Sequence, residues 1–176
     1  QILQKHGIQV IMATGDNLKT AQTIASQLRI TEVYSDLLPN DKRDIVLQLK
    51  KKGQKVAMAG DGVNDAPALA CADVGLAMGT GAALAVESAG VTVLRGDVLG
   101  IVKAYLLSRA TVRNVWENLF FAFAYNLVCV PVAAGVLYPY WGIVLNPMFG
   151  AFAMSFSSVS VVLNALRLRK VKLNVV

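Results

Sequence analysis

The sequence predicts an α/β fold, a parallel β-sheet covered by helices, followed by a two-helix transmembrane hairpin. Short apolar runs alternate with helical patterns over residues 1–96, and this alternation is typical of a parallel sheet with helices on its faces. Between Asn118 and Leu166 there is no Asp, Glu, Lys, Arg or His. Soluble helices keep a polar face, so this stretch indicates a bilayer.

The predicted strands are apolar runs that end at glycine or polar residues. A buried strand is predicted at Ile8–Ala13, and a short extended piece at Val33–Tyr34. Further strands are predicted at residues 55–59, 74–78 and 91–94. Ligands of such sheets lie beyond the carboxyl ends of the strands, so the residues that follow each run are the candidates for a site.

The predicted helices lie between these strands. A first helix at Asn17–Leu28 repeats apolar residues at helical spacing, and a second is predicted at Asp41–Lys51. A short helix is predicted at Asp65–Ala72. A glycine turn at residues 79–81 then precedes a helix of small residues that ends at Ala89.

A long helix is predicted from Asp97 into the membrane. Residues 97–115 form a linker helix, and residues 116–137 form the first span. About 22 residues suffice to cross a hydrocarbon core of about 30 Å at about 1.5 Å per residue. A turn with interfacial aromatic residues separates it from the second span at residues 143–166, and residues 167–176 form a basic tail.

The positive net charge of +6 concentrates beside the apolar stretch. No aromatic residues interleave with these bases, as a nucleic-acid surface would require, so no nucleic-acid partner is expected. Bases at both outer ends predict an integral membrane protein, in the cell (inner) membrane, with both ends in the cytoplasm. The flanking bases are Arg109, Arg113, Arg167, Arg169, Lys170 and Lys172.

Two segments of the first half are candidates for phosphate binding. Thr14-Gly15-Asp16-Asn17 follows a predicted strand and begins a helix, an arrangement that suits an anion but also a plain helix cap. Lys42, at the start of the next helix, could neutralise phosphoryl oxygens, or it could be an ordinary surface lysine.

The third segment, GDGVNDAPAL over residues 60–69, is the most specific. Asp61 ends an apolar strand, glycines on either side permit a tight turn, and Asn64 and Asp65 return to the same edge. Two carboxylates four residues apart at a strand end form a hard-oxygen site that suits Mg²⁺. A capped turn with two solvated acids would leave the glycines and Asn64 unexplained.

TGDN, a PxxK lysine and GDGVNDAPAL, in this order, resemble the phosphorylation domain of P-type ATPases. That family is a branch of the haloacid-dehalogenase-like phosphotransferases, with a Rossmann-type parallel sheet. The resemblance implies that residues 1–96 are the C-terminal part of this domain. It further implies that Thr14 binds the phosphoryl group, that Gly15 and Asp16 shape the loop of Thr14, and that Lys42 contacts phosphoryl oxygens. Asp61 would hold Mg²⁺, and Asn64 and Asp65 would support both the metal and the phosphoryl group.

The sequence departs from the family pattern at one point. The nucleophilic aspartate of the family belongs to a DKTGT motif, which is not present here, and the ATP-binding domain that follows it is also missing. The chain is therefore expected to be a piece of an enzyme that is not catalytic alone.

Polar side chains at membrane depth are the candidates for an ion site because they are costly there. Tyr125 and Asn126 lie in the first span, and Met154 and Ser158 share a face of the second. Between Asn118 and Leu166 there is no carboxylate and no lysine, so a soft monovalent ion such as Cu⁺ or Ag⁺ is favoured. Taken singly, Met154 could also pack as core and the serines could pack helices closely.

Tyr-Asn in one span and Met-x-x-Ser-Ser in the next resemble the copper-transporting subgroup of the family. The resemblance implies that Tyr125, Asn126, Met154 and Ser158 line a Cu⁺ pathway, together with a Cys-Pro-Cys motif of an earlier span. Cys71 and Cys129 form no CxxC pair. Cys129 is one turn beyond Asn126 and is interpreted as a packing residue.

The expected function is a part of an ATP-driven Cu⁺ exporter that couples aspartyl-phosphate formation and hydrolysis to transport. Mg²⁺ and ATP are the expected cofactors, with ATP bound by the missing domain. Expected partners are membrane lipid, the ATP-binding and actuator domains, the other membrane helices and a copper chaperone. The alternatives are a pump for Ag⁺ or a divalent heavy metal, and a non-catalytic membrane-anchored fragment.

Overall fold

The computed structural model describes residues 1–61, 63–79, 87, 89–94, 96–142 and 147–171. Several predicted features lie outside these residues: Gly62, the turn at Thr80-Gly81, most of the helix that ends at Ala89, the start of the second span at 143–146, and Lys172. The chain forms two compact units, Gln1–Lys103 and Ala104–Val176.

The first unit is α/β, as predicted, and all its described strand pairs are parallel. Its described strands form two sheets, β1-β2 and β3-β4-β5, instead of one. The strands are β1 (Ile11–Ala13), β2 (Glu32–Tyr34), β3 (Ala57–Gly60), β4 (Val74–Met78) and β5 (Val91–Val93), and the helices are α1 (Ile2–Lys5), α2 (Leu18–Leu28), α3 (Pro39–Lys51) and α4 (Ala66–Cys71).

The first strand is shorter than predicted because of its partner. β1 starts at Ile11, not Ile8, since β2 begins at Glu32 and the ladder starts with the pair Ile11–Glu32. Likewise β3 starts at Ala57 because its first partner in β4 is Val74. β4 has the predicted bounds, and α1 was not predicted.

Helix starts also follow local chemistry. α2 has Asn17 as its N-cap, whose Oδ1 accepts a hydrogen bond from Thr20 N at 3.0 Å. α3 starts two residues earlier than predicted, with Pro39 in the first turn, where a missing N–H costs nothing. The Asp41 carboxylate accepts a hydrogen bond from Leu38 N at 2.8 Å, which satisfies a donor ahead of the helix.

Small and branched residues of α2, α3, α4 and β4 are buried in the first unit, where α3 and β4 both pack against α4. Leu69 is 1% exposed, and β4 is buried at Leu76 and Ala77. A side chain at Gly75 would place its Cβ 2.8 Å from Leu69 O. The glycine therefore allows α4 to pack directly against β4.

A cavity of about 520 Å³ lies where β1, α3 and β3 face one another. Ile11 and Ala13 of β1, Lys42 of α3, and Ala57 and Met58 of β3 are among the residues that line it. In the described part of the chain, β1 pairs only with β2, and β3 is the first strand of its sheet. Both strands therefore have an edge on which no described strand is hydrogen-bonded.

Within the described residues, three further α-helices follow: α5 (Val98–Ala133), α6 (Tyr138–Trp141) and α7 (Pro147–Arg167). α5 is continuous over 36 residues and contains both the predicted linker helix and most of the first span. It ends at Ala133 and not at Leu137, because Gly135 adopts a left-handed conformation with φ 85° that terminates helices. The predicted turn contains one helical turn, α6.

Among the described residues, α5 is the one helix long and apolar enough to cross a membrane by its length and composition, and none of its apolar window is buried. α7 has 21 residues, and its side chains at Phe152, Phe156 and Leu163 are exposed. Exposed apolar helices of this kind suit a lipid environment.

Candidate functional site

The Thr14 loop is held by the segment that follows β2. Thr14 N donates to Tyr34 O at 3.0 Å, and Leu37 N donates back to Thr14 O at 3.1 Å. A Cβ at Gly15 would lie 3.3 Å from Leu37 O, so the glycine permits this close approach. The loop at the end of β1 is therefore anchored through its backbone.

The side chains of this loop partner one another. Thr14 Oγ1 donates to Asp16 Oδ2 at 3.0 Å and accepts from Asp16 N at 3.1 Å. Asn17, the last residue of TGDN, is the helix cap described above. The cap interpretation thus holds for Asn17, while the half-buried Thr14 and the exposed Asp16 lie at the end of the strand.

Lys42 is not an ordinary surface lysine. Its Nζ donates to Asp65 Oδ1 at 2.8 Å, and the two side chains are only 16% and 10% exposed. A buried charge needs a partner of opposite sign, so each residue holds the other in place. This ion pair joins the first turn of α3 to the end of the GDGVND motif.

Gly60 explains how Asp65 reaches this position. A Cβ on Gly60 would lie 2.6 Å from Asp65 Cβ and 2.7 Å from Asp65 Oδ2. Any side chain there would displace the carboxylate. The glycine at the end of β3 therefore forms the surface on which Asp65 lies.

Asp61 and Asn64 are both exposed, close to the carboxyl end of β3. An exposed carboxylate at this point fits Mg²⁺, which prefers one or two carboxylates together with water and phosphate oxygens. Asp65 Oδ1 is already paired with Lys42, an arrangement that favours a supporting role. In the part of the chain described, no cluster of three or more His, Cys, Asp or Glu residues could hold a metal.

The four predicted pathway residues of the second unit are not joined by any hydrogen bond described. Asn126 Nδ2 donates to Ala122 O at 3.0 Å, and Ser158 Oγ donates to Met154 O at 3.2 Å, both within their own helices. Met154 is 71% exposed within this chain. Its side chain is therefore largely free of contacts within the described part of this chain.

Three asparagines that sequence reasoning overlooked join the two long helices. Asn114 and Asn164 are buried, at 7% and 6% exposure, and Asn118 is half-buried. The signal was available in the sequence, since Asn118 and Asn164 are polar residues near the two ends of the uncharged stretch.

The comparisons with known proteins agree with this geometry. Residues 1–73 match the haloacid dehalogenase-like hydrolase family. Over 173 residues the chain is 60% identical to a copper-transporting P-type ATPase of Rhizobium leguminosarum bv. viciae, covering 98% of the chain and 21% of that protein. The chain belongs to the P-type ATPase family. It spans about a fifth of the length of this relative.

Two further P-type ATPases extend the comparison. The chain is 56% identical to a silver-exporting P-type ATPase of Salmonella typhimurium, over 97% of the chain and 21% of that protein. It superposes on a solved zinc-transporting PIB-type ATPase in the E2.Pi state with a TM-score of 0.79 and 34% identity, covering 94% of the chain and 26% of that structure. The haloacid-dehalogenase-like fold class predicted from the motifs is thus confirmed.

Proposed function

We propose that this chain is the part of an ATP-driven Cu⁺ exporter that contains most of its phosphoryl site and two of its membrane spans. The observation that carries the proposal is 60% identity to a copper-transporting P-type ATPase over 98% of the chain. The Lys42–Asp65 pair supports it, because it places a cation and a carboxylate beside the GDGVND turn.

In this proposal the first unit binds and orients the phosphoryl group. The Thr14 hydroxyl turns from Asp16 Oδ2 to donate to a phosphoryl oxygen, Gly15 and Asp16 shape the loop, and the Lys42 ammonium neutralises developing negative charge. Asp65 orients Lys42 through the 2.8 Å ion pair. Asn64 supports the metal and the phosphoryl group at the same edge of the sheet. Mg²⁺, held by Asp61 with Asp65 in support, supplies additional positive charge when bound.

The nucleophile of the reaction is assigned to a segment outside this chain, a DKTGT-bearing strand. The cavity between β1 and β3 supports that assignment, because it is lined by both edge strands and by Lys42. A parallel strand inserted there would end beside the same strand ends as Thr14 and Asp61, and a parallel sheet places its active residues at those ends.

In the second unit, Tyr125, Asn126, Met154 and Ser158 are assigned to the Cu⁺ pathway. A thioether, a phenol, an amide and a hydroxyl add no negative charge and suit a soft monovalent ion. The described helices α5 and α7 would meet other helices of the pump, including one with Cys-Pro-Cys, and these would supply thiolates. Cys129 is half-buried and free and is assigned to packing.

The proposed location is the cell (inner) membrane with both ends of the chain in the cytoplasm. Basic residues beside the apolar stretch support this orientation. The proposed partners are the ATP-binding and actuator domains, the other spans, lipid, and a copper chaperone that delivers Cu⁺.

Export of Ag⁺ is the second candidate, and a specific observation favours it. The silver-exporting relative is 56% identical over 97% of the chain, and Ag⁺ has the charge and softness of Cu⁺. A divalent cargo is disfavoured because residues 118–166 contain no carboxylate, although the solved zinc-transporting protein has the same fold.

The deciding experiment measures the ATPase rate of the purified full-length protein with Cu⁺, Ag⁺, Zn²⁺ and Cd²⁺ in turn. Cu⁺ is expected to stimulate the rate, and Met154→Leu to raise the Cu⁺ concentration for half-maximal stimulation about tenfold, equal to roughly 1.4 kcal/mol of binding. Met148→Leu, on the same helix, is the matched control and should leave that concentration unchanged. Stimulation by Zn²⁺ alone would refute the copper proposal.

A further inference from the structure

Asn114, Asn118 and Asn164 form a hydrogen-bonded cluster between α5 and α7, here called the asparagine bridge. Asn114 and Asn118 are four residues apart and so share one face of α5. Asn164 is three residues before Arg167 on α7. The bridge joins the two ends of the uncharged stretch, which begins at Asn118 and ends two residues after Asn164.

The hydrogen bonds of the bridge form a closed circuit. Arg167 Nη1 donates to Asn164 Oδ1 at 3.1 Å, and Asn164 Nδ2 donates to Asn118 Oδ1 at 3.0 Å. Asn118 Nδ2 donates to Asn114 Oδ1 at 3.2 Å, and Asn114 Nδ2 donates to Asn164 O at 2.9 Å. The circuit thus closes at residue 164, with the donor Arg167 at one end and the backbone acceptor Asn164 O at the other.

The two ends of this circuit determine the direction of every amide. A guanidinium can only donate and a backbone carbonyl can only accept. With Arg167 at one end and Asn164 O at the other, each amide has to accept through its oxygen and donate through its nitrogen. The arrangement leaves every oxygen and nitrogen of the three amides with at least one partner, which matters where water is scarce.

Charged residues lie next to the asparagine bridge. The Glu117 carboxylate is 3.2 Å from Arg113 Nε on its own helix and 3.9 Å from Arg167 Nη1 on α7. Arg167 therefore contacts both Asn164 and Glu117. The side chains of Arg113 and Arg167 are 83% and 76% exposed, so solvent screens these pairs and the amides provide the more specific contact.

A hydrogen-bonded bridge specifies register in a way that apolar packing does not. A slip of one residue moves a helix by about 1.5 Å and turns it by about 100°, which would separate all the donor–acceptor pairs between the helices. Apolar contacts with lipid and with other helices are non-directional. The bridge is thus a point at which the relative position of α5 and α7 is defined.

The residues of the proposed ion pathway lie a short distance from this point. Tyr125 and Asn126 are about 10 and 12 Å beyond Asn118 along α5, at about 1.5 Å per residue. By the same rise, Ser158 and Met154 are about 9 and 15 Å from Asn164 along α7. An error of register at the bridge would therefore be carried to both halves of the pathway.

We propose that Asn114, Asn118 and Asn164 are positioning residues that fix the register of α5 against α7 and thereby set the affinity of the pump for its ion. This inference rests on the proposed function, because the residues that the bridge positions are those assigned to the ion pathway.

The test uses the full-length pump with Asn118→Leu, Asn164→Leu and the double variant. Each single substitution is expected to raise the Cu⁺ concentration for half-maximal ATPase stimulation about three- to tenfold, with little change in the maximal rate, a range that matches hydrogen bonds between membrane helices. Because both substitutions remove the same contact, the double variant should resemble the single ones instead of multiplying their effects.

Two controls separate positioning from a general loss of stability. Asn118→Gln keeps an amide that can accept from Asn164 Nδ2 and donate to Asn114 Oδ1, so it should raise the half-maximal concentration less than Asn118→Leu does. Thr111→Val, on α5, removes a hydroxyl that donates to Leu107 O of its own helix and should have no effect. The proposal would be overturned if the single leucine variants left the half-maximal Cu⁺ concentration unchanged or lowered only the maximal rate. It would also be overturned if the effects of the two single substitutions multiplied in the double variant.

Two further outcomes of the experiment also test the proposal. If the leucine variants do not accumulate in the membrane, Asn164→Ser replaces them, since it removes the link to Asn118 but stays polar. The same rise is expected, and its absence overturns the proposal. If Zn²⁺ and not Cu⁺ stimulates the wild type, the copper assignment fails, and the bridge is tested by the same shifts measured with Zn²⁺.

Discussion

The two units of this chain differ in how far their candidate sites are complete. In the first unit, Lys42 Nζ lies 2.8 Å from Asp65 Oδ1, and both side chains are largely buried. The lack of a side chain at Gly60 leaves room for the Asp65 carboxylate. In the second, Asn126 and Ser158 bond within their own helices, and Met154 is 71% exposed. A phosphoryl site can be assembled largely from consecutive strand ends, whereas a membrane ion site needs helices from distant parts of a chain.

The largest loss is expected from removing the cation of the more complete site. Lys42→Ala in the full-length pump should lower the ATPase rate about 100-fold or more, because charge stabilisation at a transferring phosphoryl group is typically of that size. It also leaves the Asp65 carboxylate unpaired. Lys51→Ala, an exposed lysine at the end of the same helix, is the control. A fall of less than about threefold for Lys42→Ala would remove Lys42 from the site.

A smaller loss is expected from Gly60→Ala. The new methyl group would overlap Asp65, at 2.6 Å from its Cβ, and overpacking of this kind costs about 1–3 kcal/mol. ATPase activity and thermal stability should fall together. Gly90→Ala meets nothing within 4 Å and should change neither. Full activity in Gly60→Ala would contradict the close packing of Asp65.

Substitutions in α5 test whether ATP turnover is coupled to transport through this helix. α5 is one continuous helix over Val98–Ala133, and an intact helix can transmit a displacement between a soluble domain and a membrane. Replacing Thr111 and Val112 with glycine costs up to about 1 kcal/mol of helix propensity per residue. ATP turnover is expected to persist while transport into vesicles falls. The Ala-Ala variant preserves the helix and should retain both, and joint loss or joint retention in the glycine variant would contradict the linkage.

The smallest effect concerns pH and the first unit alone. The hydrogen bond from Val56 N, followed by that from Lys55, lowers the pKa of Asp73 below its ordinary value. Its stabilising contribution is therefore present above the unfolded pKa of 3.8 and is lost as pH falls through the folded value.

Asp73→Asn should lower the thermal midpoint slightly at pH 7, and the difference from the wild type should shrink below pH 3.8. The measurement is thermal unfolding of the full-length protein across this range. Asp44→Asn, which loses a pair with the neighbouring Arg43 only, is the control. A difference that grows on acidification would contradict the assignment.

Local sequence predicted the elements better than their assembly. The period of apolar residues located α2 to its last residue, Leu28, and β4 at Val74–Met78. Strand lengths were less predictable, since β1 is limited by its three-residue partner β2. The helix α5 ends four residues before the predicted Leu137, because Gly135 adopts a left-handed conformation that terminates helices.

The sequence likewise predicted the candidate site residues only in part. The GDGVND motif identified Asp61, Asn64 and Asp65 as candidates, but no pattern indicated that Lys42 would be bound by Asp65. The sequence shows Asn118 and Asn164 as polar residues near the ends of the uncharged stretch, but local spacing does not predict contacts over such separations, as between Asn114 and Asn164, 50 positions apart.

By itself the sequence determined the α/β class, the uncharged stretch and the order of the TGDN, PxxK and GDGVNDAPAL motifs, because periodicity, charge and turn chemistry act over a few neighbouring residues. Tertiary structure alone decided which of those residues meet: Lys42 with Asp65 over Gly60, and Asn118 with Asn164 between the long helices. The reason is physical, since a contact between distant residues depends on how whole elements pack, and packing is a property of the folded chain.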